Sequence, residues 1–321
     1  MSWLYESPSH DPWYNLAVEE YLLSQAKDRV ILYLWQNAHT VVVGKNQNPW
    51  KECRTTLLEQ EGGRLARRLS GGGAVYHDLG NLNFTFLMPQ DWFDETKQFS
   101  VILEALRKLD IQAEFSGRND LLAGGRKFSG SAYYKNGTAA YHHGTLLVNA
   151  DLEKLGRYLT PGKAKLRSKG VDSVASRVCN LSELNPAVTV DTLKDALREA
   201  YRFLYKDWKT MTLTEGDRQA VDALAARNRS WEWNYGRKLP FSLELEDRFP
   251  WGGVQIGLEV SAGRVERVKV YTDAMDHTLP EKLERAWTGR RFTPEDLSAG
   301  LEGLDQATAE NLRSLLHRAD L

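Results

Sequence analysis

Arg67-Arg68-Leu69-Ser70-Gly71-Gly72-Gly73-Ala74-Val75-Tyr76-His77-Asp78 is the densest chemical feature of the sequence. Three consecutive glycines tolerate positive φ and carry no side chains. Their N–H groups can therefore converge on an anion. The two arginines before them add planar, permanently charged donors suited to phosphate. The run reads as a nucleotide-phosphate or acyl-phosphate site. The competing reading is a turn with two solvated arginines. No Gly-Lys-Ser/Thr follows the glycines, so this is neither a Walker loop nor a dinucleotide fingerprint.

Strand signals lie on both sides of the loop. Upstream, Val30 to Trp35 and Thr40 to Val43 read as buried strands separated by the polar turn Gln36-Asn37-Ala38-His39. Downstream, Leu82, Phe84 and Phe86 alternate with Asn83 and Thr85, which predicts a half-buried strand. Asp11-Pro12 reads as an N-cap with proline at the first helical position, opening a helix to about Ala26. Glu95 to Asp110 is an amphipathic helix with Phe99, Ile102, Leu103, Leu106 and Leu109 on one face. Phe128 to Tyr134 and Gly144 to Val148 read as strands about a turn at Asn136-Gly137.

Beyond Asn149, Asp151 to Leu159, Val190 to Trp208 and Thr214 to Arg227 read as helices. A hairpin follows, Gly253 to Val260 and Arg264 to Tyr271, then helices over Pro280 to Trp287, Pro294 to Leu301 and Gln306 to Leu316. Strands and helices cluster rather than alternate, so the fold class is α+β. The aromatic-rich segment Ser230 to Gly236 is expected to end a first domain, 1–238, leaving 239–321 as a small second one.

The chain's 321 residues agree with two domains. Its 42 basic and 43 acidic residues give a net charge of −1, which excludes a strongly basic nucleic-acid coat and an acidic tail. Two cysteines, Cys53 and Cys179, make no disulfide framework and suit a reducing compartment. No basic-then-apolar leader opens the sequence, and no apolar run is long enough for a bilayer. The expectation is a cytoplasmic protein with no membrane and no nucleic-acid partner.

Lys127 lies between Gly124-Gly125 and Gly130, where it can reach into a cleft and neutralise a carboxylate or phosphate. Asp120 could hold Mg²⁺ beside that phosphate. The competing readings are a solvated lysine and an Asx-turn aspartate. His142 and His143 are adjacent on a strand and project to opposite faces, so they do not share a metal. One of them is a candidate substrate contact. There is no Gly-x-Ser-x-Gly elbow, and Cys179 reads as a buried structural thiol.

Several motifs occur in order: Asn15 to Glu20, Asn46 to Cys53, Arg67 to Asp78 with Gly80-Asn81, Gly117-Arg118-Asn119-Asp120, Arg126 to Ala132 and His143 to Leu147. Ser173 to Val178, Ser230 to Asn234 and Phe249-Pro250-Trp251-Gly252-Gly253 follow. Together they closely resemble the bacterial lipoate–protein ligase A family over nearly the whole chain. The resemblance implies a biotin/lipoate ligase-like catalytic domain of mixed sheets flanked by helices, and a small α+β C-terminal accessory domain. It implies a two-step reaction in which lipoate and ATP give lipoyl-AMP, and the lipoyl group then passes to a lysine.

The implied acceptors are apo lipoyl domains of 2-oxo acid dehydrogenase complexes and the glycine cleavage H protein. The implied cofactors are ATP and Mg²⁺, and the implied enzyme is a monomer. Carried over by motif, Arg68, Gly73, Ala74, Val75, Tyr76 and Lys127 bind ATP and the adenylate. Ser70, Gly71, Gly72, His143 and Lys127 line lipoate, Lys127 is the catalytic residue, and Asp120 is a metal or ribose-side group. On this reading Arg67, Arg68, Arg126 and Lys127 converge on the anionic intermediate.

One departure is the stretch Leu121 to Gly125, which is shorter than in some members. The rival readings are a cysteine-dependent octanoyl or lipoyl transferase of the same superfamily, a non-catalytic lipoate- or nucleotide-binding module, and a biotin ligase. The last is disfavoured because its Gly-Arg-Gly-Arg pattern is absent.

Overall fold

The computed structural model describes residues 2–116, 119–159, 178–235, 243–261 and 264–318. The sequence readings at Gly117-Arg118 and over 173–177 lie outside these residues. In chain order the strands are β1 (Ser2–Glu6), β2 (Val30–Trp35), β3 (Thr40–Val43), β4 (Arg64–Arg67), β5 (Val75–His77), β6 (Asn81–Pro89) and β7 (Ala113–Phe115). They continue with β8 (Asp120–Ala123), β9 (Arg126–Lys135), β10 (Ala139–Leu147), β11 (Trp208–Thr210), β12 (Leu243–Phe249), β13 (Gly252–Ser261) and β14 (Arg264–Thr272).

Among the described residues three sheets form. The largest has the order β11-β1-β2-β6-β10-β9-β8-β7, a second is β4-β3-β5 and a third is β12-β13-β14. The large sheet is mixed: β1 runs parallel to β2 and β11. The pairs from β2–β6 through β8–β7 are antiparallel. The expected α+β class is the one observed.

Local chemistry sets the elements. The Asp11 carboxylate accepts from the Trp13 and Tyr14 N–H groups and starts the Pro12–Gln25 helix. Asp94 does the same for Glu95–Lys108, accepting from the Lys97 N–H. Gly124 and Gly125 both have positive φ, which a two-residue I′ hairpin turn requires, and they join β8 to β9. The short stretch noted in the sequence is therefore this hairpin.

Both faces of the large sheet are covered. The Glu95–Lys108 and Val190–Leu204 helices pack on Leu32, Leu34, Phe84, Phe86 and Leu146. The Pro12–Gln25 and Glu215–Arg229 helices pack on Ile31, Tyr33, Trp35, Leu87 and Tyr141. This corrects the half-buried reading of β6. Asn83 and Thr85 are as buried as Phe84 and Phe86, and alternation marks two different interior environments rather than core and solvent. The helix expected over Val190 to Trp208 ends at Leu204; Asp207 takes a positive φ and Trp208 enters edge strand β11.

In the C-terminal domain the third sheet packs with the Leu279–Trp287, Pro294–Ala299 and Gln306–Arg318 helices around Ile256, Leu258, Val270, Leu283, Trp287 and Leu312. This domain touches the rest of the chain beside the glycine loop. The Thr272 N–H donates to the Asn46 carbonyl at 2.7 Å and the Gly72 N–H to the Ala274 carbonyl at 3.2 Å. Among the described residues, no helix is long and apolar enough to cross a membrane.

Candidate functional site

Register builds the floor of the site. Residues directly opposite on neighbouring strands share a face. Trp35 on β2 stands opposite Asn83 on β6, which stands opposite Thr145 on β10. Thr145 Oγ accepts from the Gly130 N–H on β9 at 3.3 Å, and Gly130 stands opposite Asp120 on β8. One row thus crosses five strands, and every member lines a cleft of about 1600 Å³. A parallel row runs Thr85–His143–Ala132. The glycine loop forms one wall of the cleft, and residues 273–276 of the C-terminal domain form another.

Of the residues singled out in the sequence, Arg68, Gly72, Gly73, Ala74, Val75, Tyr76, Asp120, Lys127 and His143 line this cleft. Ser70 and Gly71 are not among its lining residues, and Ser70 is fully buried. The glycines are needed here for close approach. A Cβ on Gly71 would stand 2.3 Å from the Ala274 carbonyl oxygen, and Gly72 has a φ of +87°.

Arg68 is buried inside the loop. Its guanidinium donates to the Gly71 and Gly73 carbonyls, each at 2.7 Å, to the Val42 carbonyl and to Ser70 Oγ. Burial lowers its pKa to about 10, which leaves it charged at neutral pH. Arg68 therefore shapes the loop and places a fixed positive charge under it. Arg67 does not join the expected cluster of cations. It donates to the carbonyls of Gly44, Lys45, Gln47, Trp233 and Asn234. That set ties the small sheet to the Trp231–Asn234 turn, because an isolated buried guanidinium must saturate its donors. Arg126 sits at the cleft rim, paired with Glu183 at 2.8 Å.

Lys127 Nζ pairs with Asp120 at 2.7 Å and lies over Gly130, 2.9 Å from where a Cβ would stand. Asp120 is thus a lysine partner in this state. Among the described residues no group of three or more His, Cys, Asp or Glu side chains could hold a metal.

His142 and His143 point to opposite faces, as the strand geometry predicts. His142 is walled in by Phe84, Phe99 and Tyr133 and bonds Gln98. His143 Nε2 is 2.8 Å from Ser70 Oγ and its Nδ1 is 2.8 Å from Glu19 Oε1. Glu19 also accepts from Thr85 Oγ, which in turn accepts from the Trp35 indole N–H. Ser70, His143 and Glu19 follow the order of a nucleophile–base–acid relay. Ser70 Oγ, however, accepts from Arg68 and is shut away from the cleft, so the network braces the loop against the floor.

Glu19, Trp35, Thr85, His77 and Asn83 appear in the sequence reading only as parts of motifs and strands, not as site residues. One signal was present: Glu19 lies three residues from both Leu16 and Leu22, on the apolar face of its helix. His77 has a defined tautomer. Asn15 Nδ2 donates to Asn37 Oδ1, so Asn37 presents its Nδ2 to His77 Nδ1 at 3.2 Å. His77 Nε2 therefore carries the proton. Burial, Arg68 and His143 push its pKa down to about 3, so the ring is neutral.

Neither cysteine lines the cleft. Both are buried, and burial pushes the Cys53 thiol up to about 12 and raises that of Cys179.

The chain matches the family model of the lipoyl protein ligase A/B catalytic domain over residues 11–202. It matches that of the bacterial lipoate protein ligase C-terminus over residues 238–316. It is similar to P. falciparum LipL1, solved in complex with lipoate: 29% identity, 99% of this chain and 100% of that one, TM-score 0.88. A bipartite lipoate protein ligase from Thermoplasma acidophilum, studied with its E2 lipoyl domain, is 28% identical over 75% of this chain and 98% of that one, with a TM-score of 0.65. A lipoate-protein ligase A bound with ATP is 28% identical over 73% and 98%, with a TM-score of 0.63. This chain, with its glycine-loop cleft and its C-terminal domain, belongs to the lipoyl protein ligase A/B family.

Proposed function

We propose that the chain is an ATP-dependent lipoate–protein ligase, with a catalytic domain over 1–238 and an accessory domain over 239–321. In the first step a lipoate carboxylate oxygen attacks the α-phosphorus of ATP, and pyrophosphate leaves. In the second, an acceptor lysine amine attacks the acyl carbon; an amide forms, AMP leaves and the amine proton is lost. The acceptors are apo lipoyl domains of 2-oxo acid dehydrogenase complexes and the glycine cleavage H protein, met by a monomer in the cytoplasm.

The observation that carries this reading is the half-exposed Lys127 amine on the floor, with the charged Arg68 beneath the opposing loop and no thiol on the cleft. Both steps bring anions together or release one, and fixed positive charge lowers that barrier. Arg68, Gly73, Ala74, Val75, Tyr76 and Lys127 take the nucleotide. Gly72, His143 and Lys127 take lipoate, with Ser70 and Gly71 acting from behind the wall. Mg²⁺ would supply charge neutralisation at the phosphates of ATP. One carboxylate, Asp120, would be enough protein contact for such an ion, released from its pair with Lys127. The buried, high-pKa cysteines speak against a covalent acyl-thiol transferase.

The test is incubation with ATP, Mg²⁺, lipoate and an apo lipoyl domain. The expected result is a gain of one lipoyl group in the domain's intact mass, with pyrophosphate release, only when ATP is present. No gain from lipoate and ATP, with a gain from a lipoyl or octanoyl thioester instead, would replace the ligase reading with a transferase.

A further inference from the structure

Backbone and ring contacts hold the C-terminal domain against the first. The Thr272 N–H donates to the Asn46 carbonyl at 2.7 Å, and Asn46 Nδ2 donates to the His277 carbonyl at 2.8 Å. The Gly72 N–H donates to the Ala274 carbonyl at 3.2 Å. The half-buried His277 ring lies against the ring of Tyr134 on β9, with centroids 4.7 Å apart. Lys45 and Glu281 pair at 3.3 Å on the exposed rim of the same contact. Gly72 belongs to the loop whose N–H groups can converge on an anion. Whatever loosens the contact therefore frees a loop donor.

Of these side chains only His277 has an ordinary pKa between pH 5 and 8. The charged and titratable groups around it come from four places. Tyr134 stands on β9, Lys45 on the 44–47 turn, Asp276 beside the ring, and Glu281 and Lys282 on the Leu279–Trp287 helix. Glu20, on the Pro12–Gln25 helix, acts on Tyr134. Burial and Lys45 disfavour the protonated ring; Asp276 and Glu281 favour it, and Lys282 opposes it again. The face of Tyr134 also attracts a cation. The two carboxylates and the two amines nearly offset, so burial decides, and the docked ring is held below the ordinary histidine value. Above about pH 6.5 the ring is neutral whether or not the domains touch, and docking is at full strength. Below it the undocked ring takes a proton first, and docking weakens by at most about tenfold per pH unit.

We propose that the contact between the C-terminal domain and the glycine loop is a proton-sensitive latch, closed by the neutral His277 ring on Tyr134 and loosened when that ring is protonated. The latch is a property of the contact and does not depend on which reaction the cleft performs.

The experiment follows amide exchange of Thr272 in the full chain without ligand, as a protection factor relative to Tyr141 in the middle of β10. From about pH 7.5 to about pH 5.5 that ratio is expected to fall at least about threefold. His277→Phe keeps a ring on Tyr134 and the carbonyl for Asn46 but has no proton to take, and its ratio is expected to stay constant. A constant ratio in the native chain overturns the proposal, as does an equal fall in His277→Phe. If that variant does not fold, the proton NMR titration of His277 in the native chain decides. A midpoint below about 6.5 upholds the latch, and one at or above it overturns it.

Discussion

At the scale of the residue, Lys127 and Glu19 carry opposite kinds of consequence. Lys127 is half-exposed and its ion pair with Asp120 is partly solvated, so the pair contributes about 1 kcal/mol or less to stability. Lys127→Ala is therefore expected to leave the thermal midpoint nearly unchanged. The same change should cut ATP–pyrophosphate exchange by about 10²–10³-fold, the usual loss when one donor to developing charge is removed. Near-native exchange by that folded variant would remove Lys127 from the chemistry. Glu19 is buried and serves two donors at once, His143 Nδ1 and Thr85 Oγ. Glu19→Ala leaves both without an acceptor and is expected to cost about 1–3 kcal/mol in urea unfolding. Lys127, Arg68 and His143 were legible as cleft residues because a polar side chain beside glycine is a local signal. Glu19 and Thr85 were not, because they reach the site through a hydrogen-bond network that only the folded neighbourhood defines.

At the scale of the element, Arg67 and Arg68 are adjacent in sequence and do different things. Arg68 organises the glycine loop, whereas Arg67 fastens β4 to the 44–47 turn and to Trp233 and Asn234. Arg67→Lys keeps the charge but cannot span carbonyls from two segments. It is expected to destabilise the protein by about 2 kcal/mol, read as a shift in denaturation midpoint at constant slope. No change would mean that the carbonyls are satisfied otherwise. Long helices were legible from their periodicity and caps, as at Asp11 and Asp94. Strands β4, β5, β7, β8 and β11 are three or four residues long, too short for a period to show. The buried Asn83 and Thr85 mimic a solvent face, so the alternation in β6 gave the strand and not its surroundings.

At the scale of the whole molecule, the C-terminal domain meets the loop through backbone groups, with Gly71 as the point of closest approach. Gly71→Ala has no room for its methyl group against Ala274. The substitution is expected to lift the two parts from one another. Exchange of the Thr272 amide, which bonds Asn46 across the same contact, should accelerate at least about tenfold, or roughly 1.4 kcal/mol. Unchanged protection would show that the contact does not depend on that glycine. The C-terminal part was legible in the strands and helices of its own that follow the aromatic segment. The contact at the loop was not, since it rests on backbone groups that any sequence has. The five-strand row has a last consequence. β10 lies between β6 and β9, yet it is the latest of the row's strands in the chain. A polypeptide growing on the ribosome holds the pairs Trp35–Asn83 and Asp120–Gly130 before residue 139 exists, and it has no strand to join one pair to the other. The floor is completed only when one nine-residue strand pairs along both of its edges and joins the two halves.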